Sequence, residues 1–399
     1  MSGIAQLGPS SQLSVIQLPP QLVRKIHGFL DASEVFSSQE VCKKWRSGLD
    51  DLVLLLLRDR ILPSFVFPSN GNRRETFKTA QSEIYNRASL WAPTQVIKPP
   101  LESSSCCFTL FKNRLFIGLG PKIEVRKTST NEIEYSLKPV ENISHFTLMK
   151  VLDDQRIAVA CELLELRKKT LLILSLPDGK VISRFDYDVR TMLAHGSSLY
   201  FGTAAGDVYC QATREGEATL FSHWGDIRNP VCALATSERF LVISRQKGRP
   251  NVHDRASKEK KFSLPAYNPT NQIFHWKRDL FIWGNQKRET FVFDAATQKI
   301  LTRLVPMAKK DALAKVNNLA SRHLFSCFGN LLVSINADAL RIFDLVRKTH
   351  LHTFKTGGRK ELCFADGKLF VLIQNSGQKS EMLMVDFWPR RNPKMEGKI

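Results

Sequence analysis

Two textures of apolar patterning divide the chain. Up to about residue 93 apolar side chains recur at helical spacing, and from about Thr94 they come as short runs broken by Gly, Asn, Asp and Lys. In the first part Leu22, Ile26, Phe29 and Leu30 fall on one helical stripe, and Val41, Cys42, Trp45 and Leu49 on another. Pro19 and Pro20 suit a helix start, where the missing N–H is not needed, and Asp31 with Glu34 resembles a capping pair. Two short amphipathic helices are the minimum, with a third joining them. A segment of about 40 residues with neither disulfide nor metal buries too little apolar surface to be comfortably stable alone. The stripes are therefore read as anchors for another protein's helices; the plainer alternative is a helical hairpin packed on its own domain. Farther on, Phe77, Ala80, Ile84, Ala88 and Trp91 share one face, which predicts a connecting helix at the module junction.

Beyond Thr94 the runs repeat. First strands are predicted at 106–111, 144–151, 190–195, 231–236, 272–276, 323–328 and 361–365, each followed by a charged turn and a second strand, as in RLFIGLG, RIAVAC and RFLVIS. A third strand follows in most units, as in KIEVRK, LLILSL and TFVFD. Starts fall about 38 to 51 residues apart, the period of four-stranded propeller blades. The fold class is thus mixed and mainly β: N-terminal helices followed by a seven-bladed β-propeller. The seventh unit stops after three strands, while TQVIK at 94–98 is an orphan strand ahead of the first. Pairing the two would close the ring and hide a bare edge. The repeats resemble degenerate WD repeats, with Phe293-Asp294 and Phe343-Asp344 where the Trp-Asp pair would stand.

The helical stretch carries its own resemblance. Leu18, Pro19, Leu22, Ile26, Phe29, Leu30, Asp31, Val35, Val41, Cys42, Lys43, Trp45 and Arg46 meet the pattern of an F-box, with Gln21 where an acid is common and Gly28 inside the first helix as small departures. The resulting division is a tail at 1–17, an F-box at 18–50, a helical linker at 51–93 and a propeller at 94–399. The resemblance implies a substrate-recognition adaptor of an SCF-type ubiquitin ligase, docking a Skp-family adaptor and, through it, a cullin. Leu18, Pro19, Leu22, Ile26, Leu30, Val41 and Trp45 are the expected apolar anchors, Trp45 doubling as filler within the helical module. Such a subunit does no bond chemistry; it raises the local concentration of a substrate lysine near the ubiquitin-charged enzyme.

Charge adds a candidate surface. The formal net charge is +20, and the first hundred residues hold only 12 basic against 8 acidic side chains, so most of the excess lies in the repeats. Long-range attraction of acidic or phosphorylated partners, nucleic acid or anionic membrane follows. In a propeller the strand 2 to 3 loops and the connections between blades share one rim. That rim receives Arg167, Lys168, Lys169, Lys247, Arg249, Lys287, Arg288, Arg322, Arg359 and Lys379, with few acids beside them. The opposite rim receives a mixed set of Glu132, Asp153, Asp154, Asp178, Asp366, Lys112, Lys277 and Arg278. Of the basic rim, Arg167, Lys168, Lys247, Arg249, Lys287, Arg288, Arg359 and Lys379 are the expected contacts to an acidic or phosphorylated protein substrate, Arg by forked hydrogen bonds and Lys by point charge. A solvated face on a basic protein is the alternative.

Other chemistries find no support. Eight cysteines include no C-x-x-C pair, the adjacent Cys106 and Cys107 point to opposite faces of a strand, and reduced thiols in the cytoplasm or nucleus are expected. His350 and His352 alternate on a strand without an acid beside them, and no nucleophile elbow, phosphate loop or zincin motif occurs. No cofactor, metal or catalytic residue is expected. Trp224, Trp276 and Trp283 are read as blade core or rim filler. The start of the chain has no charged or apolar signal region and is read as a disordered tail, and the longest apolar run, 52–57, is too short to span a bilayer. A non-ligase F-box scaffold, a bacterial effector acting on host ubiquitination from the host cytosol, and a basic propeller that binds nucleic acid stay as alternatives.

Overall fold

The computed structural model describes residues 54–55, 65, 67, 72–92, 95–97, 106–128, 130–139, 142–164, 169–196, 198–212, 217–224, 229–265, 273–284, 290–304, 324–328, 330–335, 339–355, 359–365, 367–374 and 381–387. The tail, the helices expected at 18–50 and their anchors Leu18, Pro19, Leu22, Ile26, Leu30, Val41 and Trp45 lie outside the described residues. The chain divides into two compact units, 1–77 and 78–399.

In the first unit Phe65, Phe67 and Phe77 form a small aromatic cluster with centroids 5.2 to 6.0 Å apart, and Phe77 is fully buried. Helix α1 (Arg73–Ser89) starts here. Asn72 caps it, its Oδ1 accepting the Glu75 N–H at 3.2 Å, and Glu75 in the first turn and Arg87 in the last both complement the helix dipole.

The second unit is the expected ring of seven four-stranded antiparallel blades. The first is β2 (Cys106–Phe111), β3 (Arg114–Leu119), β4 (Lys122–Lys127) and β5 (Ile133–Leu137). The second is β6 (Ile143–Asp153), β7 (Arg156–Leu163), β8 (Lys169–Ser175) and β9 (Val181–Phe185). The third is β10 (Val189–His195), β11 (Ser198–Thr203), β12 (Val208–Ala212) and β13 (Thr219–Ser222). The fourth is β14 (Val231–Thr236), β15 (Phe240–Arg245), β16 (Asn251–Asp254) and β17 (Lys260–Ser263). The fifth is β18 (Ile273–Lys277), β19 (Leu280–Gly284), β20 (Thr290–Asp294) and β21 (Lys299–Leu304). The sixth is β22 (Leu324–Phe328), β23 (Leu331–Ile335), β24 (Ala339–Asp344) and β25 (Thr349–Lys355). The seventh takes β26 (Arg359–Ala365), β27 (Lys368–Gln374) and β28 (Glu381–Asp386), and borrows its outer strand, β1 (Gln95–Ile97), from ahead of the first blade. The register Gln95↔Asp386, Val96↔Val385, Ile97↔Met384 closes the ring as the orphan strand foretold.

Blade packing explains the sequence texture. Middle strands have a neighbouring blade on each face, so they read as unbroken apolar runs. Leu115, Phe116 and Ile117 of β3 are all buried; Phe116 packs with Phe146 and Ile157 of the second blade, while Leu115 and Ile117 pack with Phe370 and Met384 of the seventh. Gly202 marks a tighter approach, because a Cβ there would stand 2.5 Å from the Cβ of Val231 in the next blade. Asp254, Asp294 and Asp344 end third strands and cap the following turns, each Oδ1 accepting two backbone N–H groups, as from Val346 and Arg347 at 2.9 Å on Asp344. The Phe-Asp pairs thus stand where the Trp-Asp pair was expected, with the aspartate holding a turn.

Candidate docking rims of the propeller

Each blade's strands 1 to 2 and 3 to 4 join by turns on one rim, here the turn rim. The strand 2 to 3 loops and the blade connections lie on the other, the connection rim. On the turn rim one backbone bond recurs from blade to blade, tying the residue after strand 3 to the strand 1 to 2 turn: Thr128 N–H to Asn113 O, Arg255 to Arg239, Ala295 to Asp279, Leu345 to Asn330 and Phe387 to Gly367. This regularity fixes which loops share a rim.

The C-terminal half of α1 sits on the turn rim at the sixth and seventh blades. Ile84 is fully buried against Gly367, where a Cβ would come within 2.9 Å of Ile84 Cδ1 and φ is +69°. The Tyr85 hydroxyl donates to Asp344 Oδ2 at 2.5 Å, His352 Nε2 donates to the Ser89 carbonyl at 2.7 Å, and the Trp91 ring meets Phe387 edge-on at 5.6 Å. Burial, and then the Asp344 carboxylate, push the Tyr85 phenol up to about 12. The apolar face foreseen at Ala80, Ile84 and Ala88 is the face that is buried. The two strand histidines go separate ways, His350 Nε2 lying 2.7 Å from Thr353 Oγ1 while His352 serves the helix.

On the connection rim the structure brings Lys247 and Arg249 together on the loop between β15 and β16. Asn229 fixes that loop from the preceding connection, accepting the Lys247 N–H at 2.7 Å on Oδ1 and donating to the Lys247 carbonyl at 3.1 Å. Arg359 begins β26 and so opens on the same rim. Arg167, Lys168, Lys287, Arg288, Arg322 and Lys379 lie outside the described residues. Acids are more prominent than the sequence reading allowed: Asp186 and Asp188, on the connection into the third blade, pair with Arg184 at 3.2 Å and with Arg190 at 2.9 Å, and Lys169 lies 3.4 Å from Asp188. Among the described residues of the second-to-third blade sector Lys169, Arg184 and Arg190 thus each face an acid, and the fourth-blade loop carries Lys247 and Arg249.

Two residues here went unselected in the sequence. Arg245 ends the apolar run of β15 and reads as a strand-end charge, yet it is 3% exposed. Trp224 was grouped with Trp276 and Trp283 as filler; Trp283 is core at 1% exposure, but Trp224 is 43% exposed and lies over the Arg245 guanidinium at 4.5 Å. An isolated basic residue after a hydrophobic strand gave no signal of that burial. On the turn rim Lys112 pairs with Asp154 at 2.6 Å and Arg156 with Asp153 at 2.5 Å, so these members of the mixed set are locally matched.

Comparison with known proteins agrees with both parts. Residues 15–57 match the F-box domain family. The Cps50 (Swd1) beta-propeller domain of Myceliophteria thermophila superposes with a TM-score of 0.57 at 13% identity, over 72% of this chain and 99% of that one. A chain of the Mitotic Checkpoint Complex superposes with a TM-score of 0.58 at 13% identity, over 73% of this chain and 91% of the other. At such identity these likenesses speak for the fold alone. No curated protein matches the chain. No described helix is long and apolar enough to cross a membrane.

Proposed function

We propose that this chain, an F-box protein with a WD-like seven-bladed propeller, is the substrate-recognition adaptor of an SCF-type ubiquitin ligase. F-box plus propeller is the architecture of an SCF substrate-receptor-like protein, typically non-catalytic. In the proposal Leu18, Pro19, Leu22, Ile26, Leu30, Val41 and Trp45 dock a Skp-family adaptor, which brings the cullin, and the connection rim of the propeller takes an acidic or phosphorylated protein substrate. The protein works in the cytoplasm or nucleus, and ubiquitin transfer is promoted by tethering.

The F-box match at 15–57 is the observation that carries the reading. The position of α1 supports it, since that helix occupies the turn rim at the sixth and seventh blades and leaves the Lys247 and Arg249 loop, on the other rim, uncovered by it. Affinity purification from cells tests it. The full chain should retain Skp-family adaptor and cullin, and a third protein should accumulate on a variant lacking residues 18–50. Recovery of no adaptor overturns the reading, and adaptor without any accumulating third protein makes the chain a scaffold instead.

A further inference from the structure

Outer strands put apolar side chains into water on several blades: Ile133 on β5, Val181 and Ile182 on β9, Leu220 on β13, and Ile300 and Leu301 on β21. Single exposed apolar residues are ordinary on a protein surface. The groove between the fourth and fifth blades differs in what lies beneath its exposed pair. Phe240 of the fourth blade and Trp283 and Phe293 of the fifth share one buried core, and Phe262 and Phe291 pack on it half-buried. The Phe262 ring lies 6.0 Å from Phe293, and Trp283 stacks on Phe291 at 5.6 Å. Strand β21 pairs with β20 so that Ile300 stands opposite Phe293 and Arg303 opposite Phe291. Cross-strand partners share a face, so both side chains belong to the face turned to the fourth blade. Ile300, 45% exposed, thus extends an aromatic floor out to solvent.

Charge singles out the same groove. Residues 229–304, which build the fourth and fifth blades, hold 14 basic against 6 acidic side chains, whereas residues 142–228, which build the second and third, hold 10 against 11. Val181, Ile182 and Leu220 therefore sit on a nearly neutral sector, and Ile300 on a basic one. Lys261 and Lys299 are exposed near the starts of β17 and β21, and Arg303 is exposed farther along β21. Lys261 has Glu259 at 2.9 Å, so the attraction comes from the summed field of the two blades rather than from one unmatched ion. The exposed pair is aliphatic and offers no face for a base to stack on, which favours a protein partner over nucleic acid. An acidic segment that also carries aliphatic side chains matches both the field and the floor.

We propose that the groove between the outer strands of the fourth and fifth blades docks an acidic protein segment, one aliphatic side chain of which packs on Ile300 and Phe262 while its carboxylates lie in the field of Lys261, Lys299 and Arg303. This surface is on the circumference of the ring, apart from the connection rim. That the bound segment belongs to a substrate rests on the adaptor reading above; the binding itself does not.

The test titrates the full-length chain with three capped fluorescent peptides, alternating Glu with Leu, Glu with Ser, and Lys with Leu; oligouridylate serves as competitor. The Glu–Leu peptide should bind best. It should weaken several-fold with Ile300→Thr and about tenfold or more with Lys261→Glu and Lys299→Glu combined. Leu220→Ser on the third blade, and Lys247→Glu with Arg249→Glu on the connection rim, should each leave it within about twofold. Absence of Glu–Leu binding, equal binding of Glu–Ser or Lys–Leu, or indifference to the groove substitutions overturns the proposal. So does an equal loss with either control variant, or displacement by oligouridylate. Should Ile300→Thr melt at a much lower temperature, the two surface lysines decide instead. Adaptor binding measured on the same samples separates the two readings: failure of the peptide results with adaptor retained strikes this inference alone, and adaptor loss with the peptide results intact strikes the ligase reading alone.

Discussion

Replacing Tyr85 by Phe removes one hydroxyl from the seat of α1 and leaves the ring in place. The lost bond is 2.5 Å long and runs to a carboxylate that is 2% exposed. Asp344 keeps its two turn N–H donors and has Arg347 at 3.8 Å, so the carboxylate is not stranded. A hydrogen bond to a charged group of this kind contributes about 1.5–3 kcal/mol, and the remaining donors place the expected loss near about 2 kcal/mol. That loss falls on the docking of the helix rather than on the ring, whose blades do not use the hydroxyl. Amide hydrogen exchange is the fitting assay: residues 80–92 should exchange about 30-fold faster, at about 1.4 kcal/mol per factor of ten, with blade amides unchanged. The pH dependence has a definite sign. A phenol held above its ordinary value is favoured in the neutral form by the folded state, so the contribution is intact below about pH 10 and disappears as pH rises through about 12. Unchanged protection over 80–92 in Tyr85→Phe, or a helix equally well seated at pH 12, would refute the reasoning.

Two further changes probe the ring. Gly202→Ala forces a methyl to 2.5 Å from the Val231 Cβ and should cost about 1–3 kcal/mol by overpacking, seen as a lower denaturation midpoint without a change in slope; a midpoint at or above wild type contradicts the tight third-to-fourth blade contact. Deleting residues 95–97 strips the seventh blade of its outer strand and should lower the melting temperature of the whole propeller and promote association through the bared β28 edge. An unchanged melting temperature would mean that ring closure contributes nothing to stability.

The fold was legible where burial is dense. Strands 1 to 3 of each blade are sandwiched between neighbours and announce themselves as apolar runs, and the orphan strand at 95–97 followed from counting strands. Outer strands were harder to see. Ile133–Leu137 and Lys299–Leu304 expose most of their residues, so neither alternation nor an apolar run marks them. The seat of α1 was half legible: the face bearing Ile84 and Ala88 follows from helical spacing, whereas the Tyr85–Asp344 bond joins positions 259 residues apart and leaves no local trace. Charge sorting by rim brought out Lys247 and Arg249 but passed over Asp186 and Asp188, which the rule for blade connections places on the same side. Arg245 escaped because burial of a cation depends on Trp224 and Gly206, brought to it by another blade.

The central claim is that the F-box matched at 15–57 binds a Skp-family adaptor, and calorimetric titration of the purified full-length chain with that adaptor tests it most directly. The account predicts a one-to-one complex whose affinity falls about a hundredfold or more when Leu22 and Ile26 are both replaced by Ala, two of the proposed apolar anchors being lost at once. Absence of heat and of complex with the unaltered chain, or affinity indifferent to the double substitution, would contradict it.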